Sequence, residues 1–238
     1  MKKYTQEEFD QFPADECGYK QCPSGDYTLI KKFPEGCSFG EDCSFGEGCS
    51  FGEDCSFGED CSFGEDCSFG EDCSFGEDCS FGEDCSFGEG CSFGEGCFFG
   101  EGCSFGEWCS FEKGCSFGER CSFGEWCSFS ERCFFGERCS FGERCSFGEW
   151  CSFGGRCKCE FGEFQAMYTA GGFGSEGRTT YFFYMASGGV CARCGCFAGT
   201  IDEWENQVKK THGNSVLAKS YLLIGKAVRA ICEKPEEE

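Results

Sequence analysis

From Phe33 to Phe153 a phenylalanine stands at every sixth residue, 21 times in register, and from Cys37 to Cys157 a cysteine keeps the same interval. The unit reads Phe-Gly-Glu-x-Cys-Ser, and no unit carries an insertion, so the backbone path must itself be periodic. Six is a poor helical period. At ~100° per residue, six steps come to about 600°, so successive phenylalanines would spiral around a helix rather than line one side of it. A glycine in all but one of the units would also weaken a helix. A strand suits the pattern better. In Cys-Ser-Phe the cysteine and phenylalanine are two apart and share a face, with serine on the other. Gly-Glu-x then turns the corner, and the glycine is expected to supply the backbone angles of a tight turn. Short strands that turn at fixed intervals and stack on the preceding coil make a solenoid.

The pattern resembles the hexapeptide repeat of left-handed parallel β-helices. Phe33, Phe39 and their successors match that family's large inward residue, Gly40 and Gly46 the glycine after it, and Cys37 and Cys43 its small inward residue. The resemblance implies three units per coil and a left-handed path. Phenylalanine is a departure, because that family usually carries aliphatic residues there. Three rings per coil could overfill a triangular interior, and overpacking is costly. A flatter coil of two units is the alternative. The variant units leave the choice open: Trp108 and Trp126 are 18 apart, which suits three units, whereas Trp126 and Trp150 are 24 apart, which suits two.

Distinct segments flank the repeats, so the expected organisation is a cap over 1–32, a solenoid over 33–158 and a small α+β domain over 159–238. Thr5-Gln6-Glu7-Glu8 reads as a capping box for a short helix, and Tyr27 to Ile30 as a strand leading into the first unit. Beyond Cys159, strands are expected at 164–169, 179–186 and 190–197, separated by glycine-rich turns. Thr200-Ile201-Asp202-Glu203 reads as a second capping box opening a helix to about Thr211. A last helix is expected over 216–232, with Leu217, Tyr221, Ile224, Val228 and Ile231 on its apolar side. The full length resembles a group of uncharacterised proteins of anaerobic bacteria and their phages. The shared motifs are the Cys22–Tyr27 lead-in, the CSFGE-like units and the Cys196–Glu203 ending. That resemblance bears on fold and boundaries and implies no activity.

Phe, Cys and Gly make up 97 of the 238 residues, and the net charge is −23. Such a charge argues against direct nucleic-acid binding, since phosphates need Lys and Arg, and against docking on an anionic membrane. No apolar run is long enough to span a bilayer. The start has no apolar signal-peptide core, so a cytoplasmic location with reduced thiols is expected. Cysteine then serves as a small hydrophobe. Parallel coils ~4.8 Å apart would nonetheless bring cysteines within disulfide reach under oxidising conditions.

Residues 33–102 hold 12 Glu, 7 Asp and no Lys or Arg. This acidic stretch is a candidate binding face: Glu41, Asp42, Glu53, Asp54, Glu59, Asp60, Glu65, Asp66, Glu71, Asp72, Glu77, Asp78, Glu83 and Asp84. Stacked like charges repel and attract cations or a basic partner. Such a partner would make the protein an acidic decoy, or DNA mimic, of a nucleic-acid-handling protein. The plainer reading is that the charge keeps a phenylalanine-rich rod soluble. In the later units the variable corner residue becomes Trp108, Trp126, Trp150, Arg120, Arg132, Arg138, Arg144 or Arg156. Trp and Arg are enriched at binding hot spots, and drift at an unconstrained corner is the alternative.

Catalysis finds little support. Hexapeptide β-helices often belong to acyltransferases with a histidine base near the solenoid. Here the single histidine, His212, lies outside the repeats, at the expected end of a helix. No phosphate loop or nucleophile elbow appears. Cys191, Cys194 and Cys196, with Cys157 and Cys159, could suggest zinc, but in a strand Cys191 would lie on the opposite face from the other two of its cluster. Cys17 and Cys22 are no stronger. The expectation is a non-catalytic solenoid scaffold or interaction module without cofactor, with a protein partner or a second copy. The acidic decoy and a cation- or zinc-binding protein are the alternatives.

Overall fold

Residues eighteen apart lie side by side throughout the repeats of the computed structural model, which describes residues 1–173 and 178–232. Ser44 pairs in parallel with Ser62 and Phe45 with Phe63, and the next coil continues with Ser80 and Phe81. Each repeat therefore supplies one two-residue strand, three repeats close one coil, and the strands fall into three parallel sheets. The chain is a parallel β-solenoid with a small α+β unit after it. It divides into two compact units, Met1–Gly155 and Arg156–Glu238.

The feared overpacking is resolved by ring geometry. Phe63 lies flat over Phe45, with centroids 4.8 Å apart and planes 5° from parallel. It stands edge-on to Phe57 at 5.0 Å and to Phe69 at 5.1 Å. Each ring thus stacks along the axis and meets its neighbours in the coil by their edges, the two arrangements that aromatic quadrupoles favour. The coil rise of ~4.8 Å set by the backbone ladder matches the stacking distance. The cysteines fill the remaining interior. Cys61, Cys79 and Cys97 are fully buried, and their thiols donate to the carbonyls of Gly40, Gly58 and Gly76 in the coil beneath, at 3.3–3.4 Å.

The glycines serve a purpose other than the expected one. Left-handed φ occurs two positions later, at the variable residue x, for example Asp42 at 58°, Asp60 at 56° and Trp108 at 61°. The glycine that follows most of the repeat phenylalanines is instead favoured by close approach. A Cβ on Gly58 would lie 2.6 Å from the nitrogen of Glu41 and 2.8 Å from the carbonyl carbon of Gly40. The corner is fixed by a backbone bond between coils, in which the N–H of x donates to a glutamate carbonyl seventeen residues on, as from Asp54 to Glu71 at 3.0 Å.

The coil path begins before the first repeat. Lys20–Cys22 pairs in parallel with Cys37–Phe39, and Lys32–Phe33 with Ser50–Phe51. Tyr27 takes the place of a core phenylalanine and stacks on Phe45 at 5.4 Å. Helix α1 (Gln6–Asp10) starts at the Thr5–Glu8 capping box. It sets buried Phe9 edge-on against Phe33 at 5.3 Å. Lys20 Nζ donates to the carbonyls of Phe9, Asp10 and Phe12, which satisfies the C-terminal end of α1.

The second unit is an antiparallel meander of Cys157–Cys159, Gly162–Phe173, Arg178–Met185, Val190–Cys194 and Phe197–Thr200. Helices α2 (Ile201–His212) and α3 (Val216–Cys232) follow. The strand expected over 190–197 is broken at Gly195, whose φ of 60° makes a tight hairpin with Cys196. Trp204 centres the core, edge-on to Phe182 at 5.1 Å and to Tyr221 at 5.8 Å. The buried side of α3 is Ala218, Tyr221, Gly225, Val228 and Cys232, whereas Ile231 is exposed. Gly225 is there because a Cβ would crowd Trp204 at 3.0 Å. A buried ion pair escaped the sequence: Arg193 meets Glu160 at 3.5 Å and lies over the Tyr181 ring at 5.0 Å.

Candidate interaction edges

The inward Phe and Cys of each repeat are fixed by packing, so variation falls on outward positions, most often on the corners. With three units per coil, corner residues eighteen apart form three columns along three edges. The first edge carries Glu53-Asp54 and Glu71-Asp72, then Gly90, Trp108, Trp126 and Arg144. The second carries Glu41-Asp42, Glu59-Asp60 and Glu77-Asp78, then Gly96, Gly114, Arg132 and Trp150. The third carries Glu65-Asp66 and Glu83-Asp84, then Gly102, Arg120 and Arg138. Arg156 belongs to the second unit.

The fourteen candidate carboxylates are all exposed, but they do not make one face. They are shared among three edges, one Glu-Asp pair per edge per coil. At ~4.8 Å per coil, each edge holds about one charge per 2.4 Å, sparser than the ~1.7 Å of duplex DNA. Aspartate suits these positions because it tolerates left-handed φ better than most residues.

All three edges switch character at the same level. Gly90, Gly96 and Gly102 occupy the three corners of a single coil, directly above Asp72, Asp78 and Asp84. The nearest atom to a Cβ built on each glycine is the Oδ1 of the aspartate below, so these carboxylates lean over the glycines. Past this belt the corners turn aromatic or basic, at once on the first and third edges and after Gly114 on the second. Trp108 and Trp126 stack with centroids 4.9 Å apart and planes within 5°. The Arg144 guanidinium lies 4.5 Å above the Trp126 ring. Arg120 reaches down to Glu101 at 2.6 Å. The spacing of 24 that left the coil open now has its reason: Trp150 stands on a different edge from Trp108 and Trp126.

Sequence reading missed another exposed feature. Phe98 and Phe134 replace the outward serine on one sheet, and both are 55% exposed, with Ser116 in the strand between them. Their departure from the repeat was the available signal.

The cysteines do not form a metal centre in the repeats. Successive cysteines such as Cys67, Cys73 and Cys79 sit on three different sides of the coil, and each thiol donates to a backbone carbonyl, of Gly46, Gly52 and Gly58. The adjoining Cys61 thiol, and then burial, push the Cys43 pKa upward. In the second unit burial pushes Cys159 up to about 11. Cys196 is exposed in the hairpin turn, and Cys191 and Cys194 are half-buried. Among the described residues no cluster of three or more His, Cys, Asp or Glu side chains could hold a metal ion. His212 ends α2 and stacks on Tyr221 at 5.8 Å.

A family model for an RNA-binding, Nab2-type zinc finger matches residues 31–46, 66–82, 84–100 and 115–130. These stretches are less than a third of the chain. They contain no histidine, and their cysteines are the inward thiols just described, so the residues present do not fit a zinc ion there. No curated protein and no solved structure matches the chain. Among the described residues no helix is long and apolar enough to cross a membrane.

Proposed function

We propose that this protein is a non-catalytic scaffold that engages protein partners through the three corner columns of its solenoid. One observation carries the reading. The corner is where side chains change while the core stays invariant, and all three columns lose their aspartates together at the Gly90–Gly96–Gly102 belt. A rigid core with side chains displayed at a fixed pitch suits recognition better than turnover. The repeats gather no nucleophile, base and orienting group into one place.

A second reading, the acidic decoy, is favoured by the exposure of all fourteen candidate carboxylates. Their division among three edges weakens it, because a partner on one side would meet about a third of the charge.

Two full-length variants test both readings, with circular dichroism confirming the fold. One changes Glu and Asp of residues 39–102 to Gln and Asn. The other changes Trp108, Trp126 and Trp150 to Ser and Arg120, Arg132, Arg138 and Arg144 to Gln. A partner lost with the second and kept with the first supports edge recognition by the later coils. One lost only with the first, and released by salt, supports the decoy. Partners unaffected by either would sink both readings.

A further inference from the structure

We infer that the lower ring face of Trp108, above Gly90, is a receptor for an arginine side chain of a basic protein partner. The inference deepens the proposed edge recognition and rests on it.

The column shows what such a face accepts. Trp108, Trp126 and Arg144 stand at successive levels of one edge, all with left-handed φ of 61–62°. The two indoles are parallel, and the upper face of Trp126 is covered by the Arg144 guanidinium at 4.5 Å. The position one level below Trp108 is Gly90, with φ of 73° and no side chain. The three atoms nearest to a Cβ built there all belong to Asp72. No corner side chain therefore stands at the level beneath the Trp108 ring, which is 52% exposed, and only the Asp72 carboxylate reaches up to that level. One coil height is what a stacked planar group needs, as the ring spacings in this column show.

The surroundings select a cation. Asp72 Oδ1 leans into the gap from below, and Glu89 and Glu107 flank the same edge, both exposed. A guanidinium stacks flat on an indole and offers its in-plane N–H groups to carboxylates at the same time. A lysine ammonium has the charge without the plane, so arginine is preferred.

The test is peptide titration of the full chain at low salt, using a nine-residue oligoarginine and a matched oligolysine. Two variants accompany the parent. Trp108→Ala removes the ring. Gly90→Arg fills the gap from within, as Arg144 does above, at a left-handed φ of the kind Arg120 and Arg132 adopt, once the Asp72 carboxylate swings aside. The parent should bind oligoarginine about 5-fold or more tighter than oligolysine, in line with ~1 kcal/mol for a partly exposed cation–π contact. Both variants should lose that preference and keep the salt-sensitive binding common to both peptides. Equal affinities in the parent, or a preference that survives both variants, would overturn the receptor while leaving acidic-edge recognition standing. Absence of binding by either peptide would overturn both.

Discussion

A side chain begun at Gly76 would meet the backbone nitrogen of Glu59 at 2.7 Å, so consecutive coils touch through bare backbone at this point. Gly76→Ala should therefore push two coils apart and lower stability by roughly 1–3 kcal/mol, the usual cost of overpacking. Gly48→Asp is the control. Gly48 has φ of 62° and nothing within 4 Å of its Cβ position, and aspartate holds equivalent corners elsewhere. Thermal melts should separate the two by several degrees. Equal melts would mean the contact yields, as it must where Glu112 and Ser130 occupy this repeat position.

Alkali should unfold the solenoid steeply. Neighbouring thiols and then burial hold Cys37, Cys73 and Cys109 protonated in the fold, whereas the same thiols in an unfolded chain ionise near ~8.5. The unfolded state therefore sheds protons first. The stability these thiols contribute is at its full value below pH ~8.5 and falls as the pH rises above it. Far-UV circular dichroism against pH, under reducing conditions, should show a cooperative loss, and Cys109→Ala should make it shallower. A flat profile up to pH ~11 would refute this.

Phe9 closes the first coil by its edge contact with Phe33. Phe9→Ala should cost about 3–5 kcal/mol and uncover a ring stack with an open end. The expected result is concentration-dependent association in light scattering, absent from the parent.

Arg193→Ala should strongly destabilise the second unit. It would leave Glu160 without its 3.5 Å partner in a site where both side chains are about a tenth exposed. Breaking a buried pair from one side costs ~3–5 kcal/mol. Trp204, buried at the centre of that unit, should report early unfolding by its fluorescence. Replacing both partners with Met and Leu should recover much of the loss, and failure to recover would assign the effect to packing on Tyr181 instead.

Added salt should raise the melting temperature. Exposed carboxylates repeat about every 4.8 Å along each edge, and screening weakens repulsion between exposed like charges. Insensitivity to salt would show that the edges already carry counterions.

Much of this architecture was legible in the chain, because the repeat is strict and six residues fit neither a helix nor a long strand. Both capping boxes, at Thr5 and Thr200, were legible for the same reason: they are local. What the sequence left open was set by contacts between coils. The choice of three units over two depended on whether phenylalanines could share an interior, and that turned on ring orientations that spacing does not contain. The purpose of the glycines depended on the backbone eighteen residues earlier. The acidic residues read as one face because a line of text has no edges; once the coil closes at eighteen, Asp42, Asp54 and Asp66 part to three of them. The Arg193–Glu160 pair spans 33 residues and carries no local signature.

The eighteen-residue register also makes the molecule a counter. Inserting or deleting three repeats would lengthen or shorten the rod by one full coil, and every corner would keep its column. Inserting a single repeat would leave the core equally content but rotate all later corners to the next edge. Trp108 and Trp126 would then stand above the Asp78 column instead of Asp72. Duplication in this chain can thus act in two ways, changing the reach between two displayed groups or changing the side on which they appear.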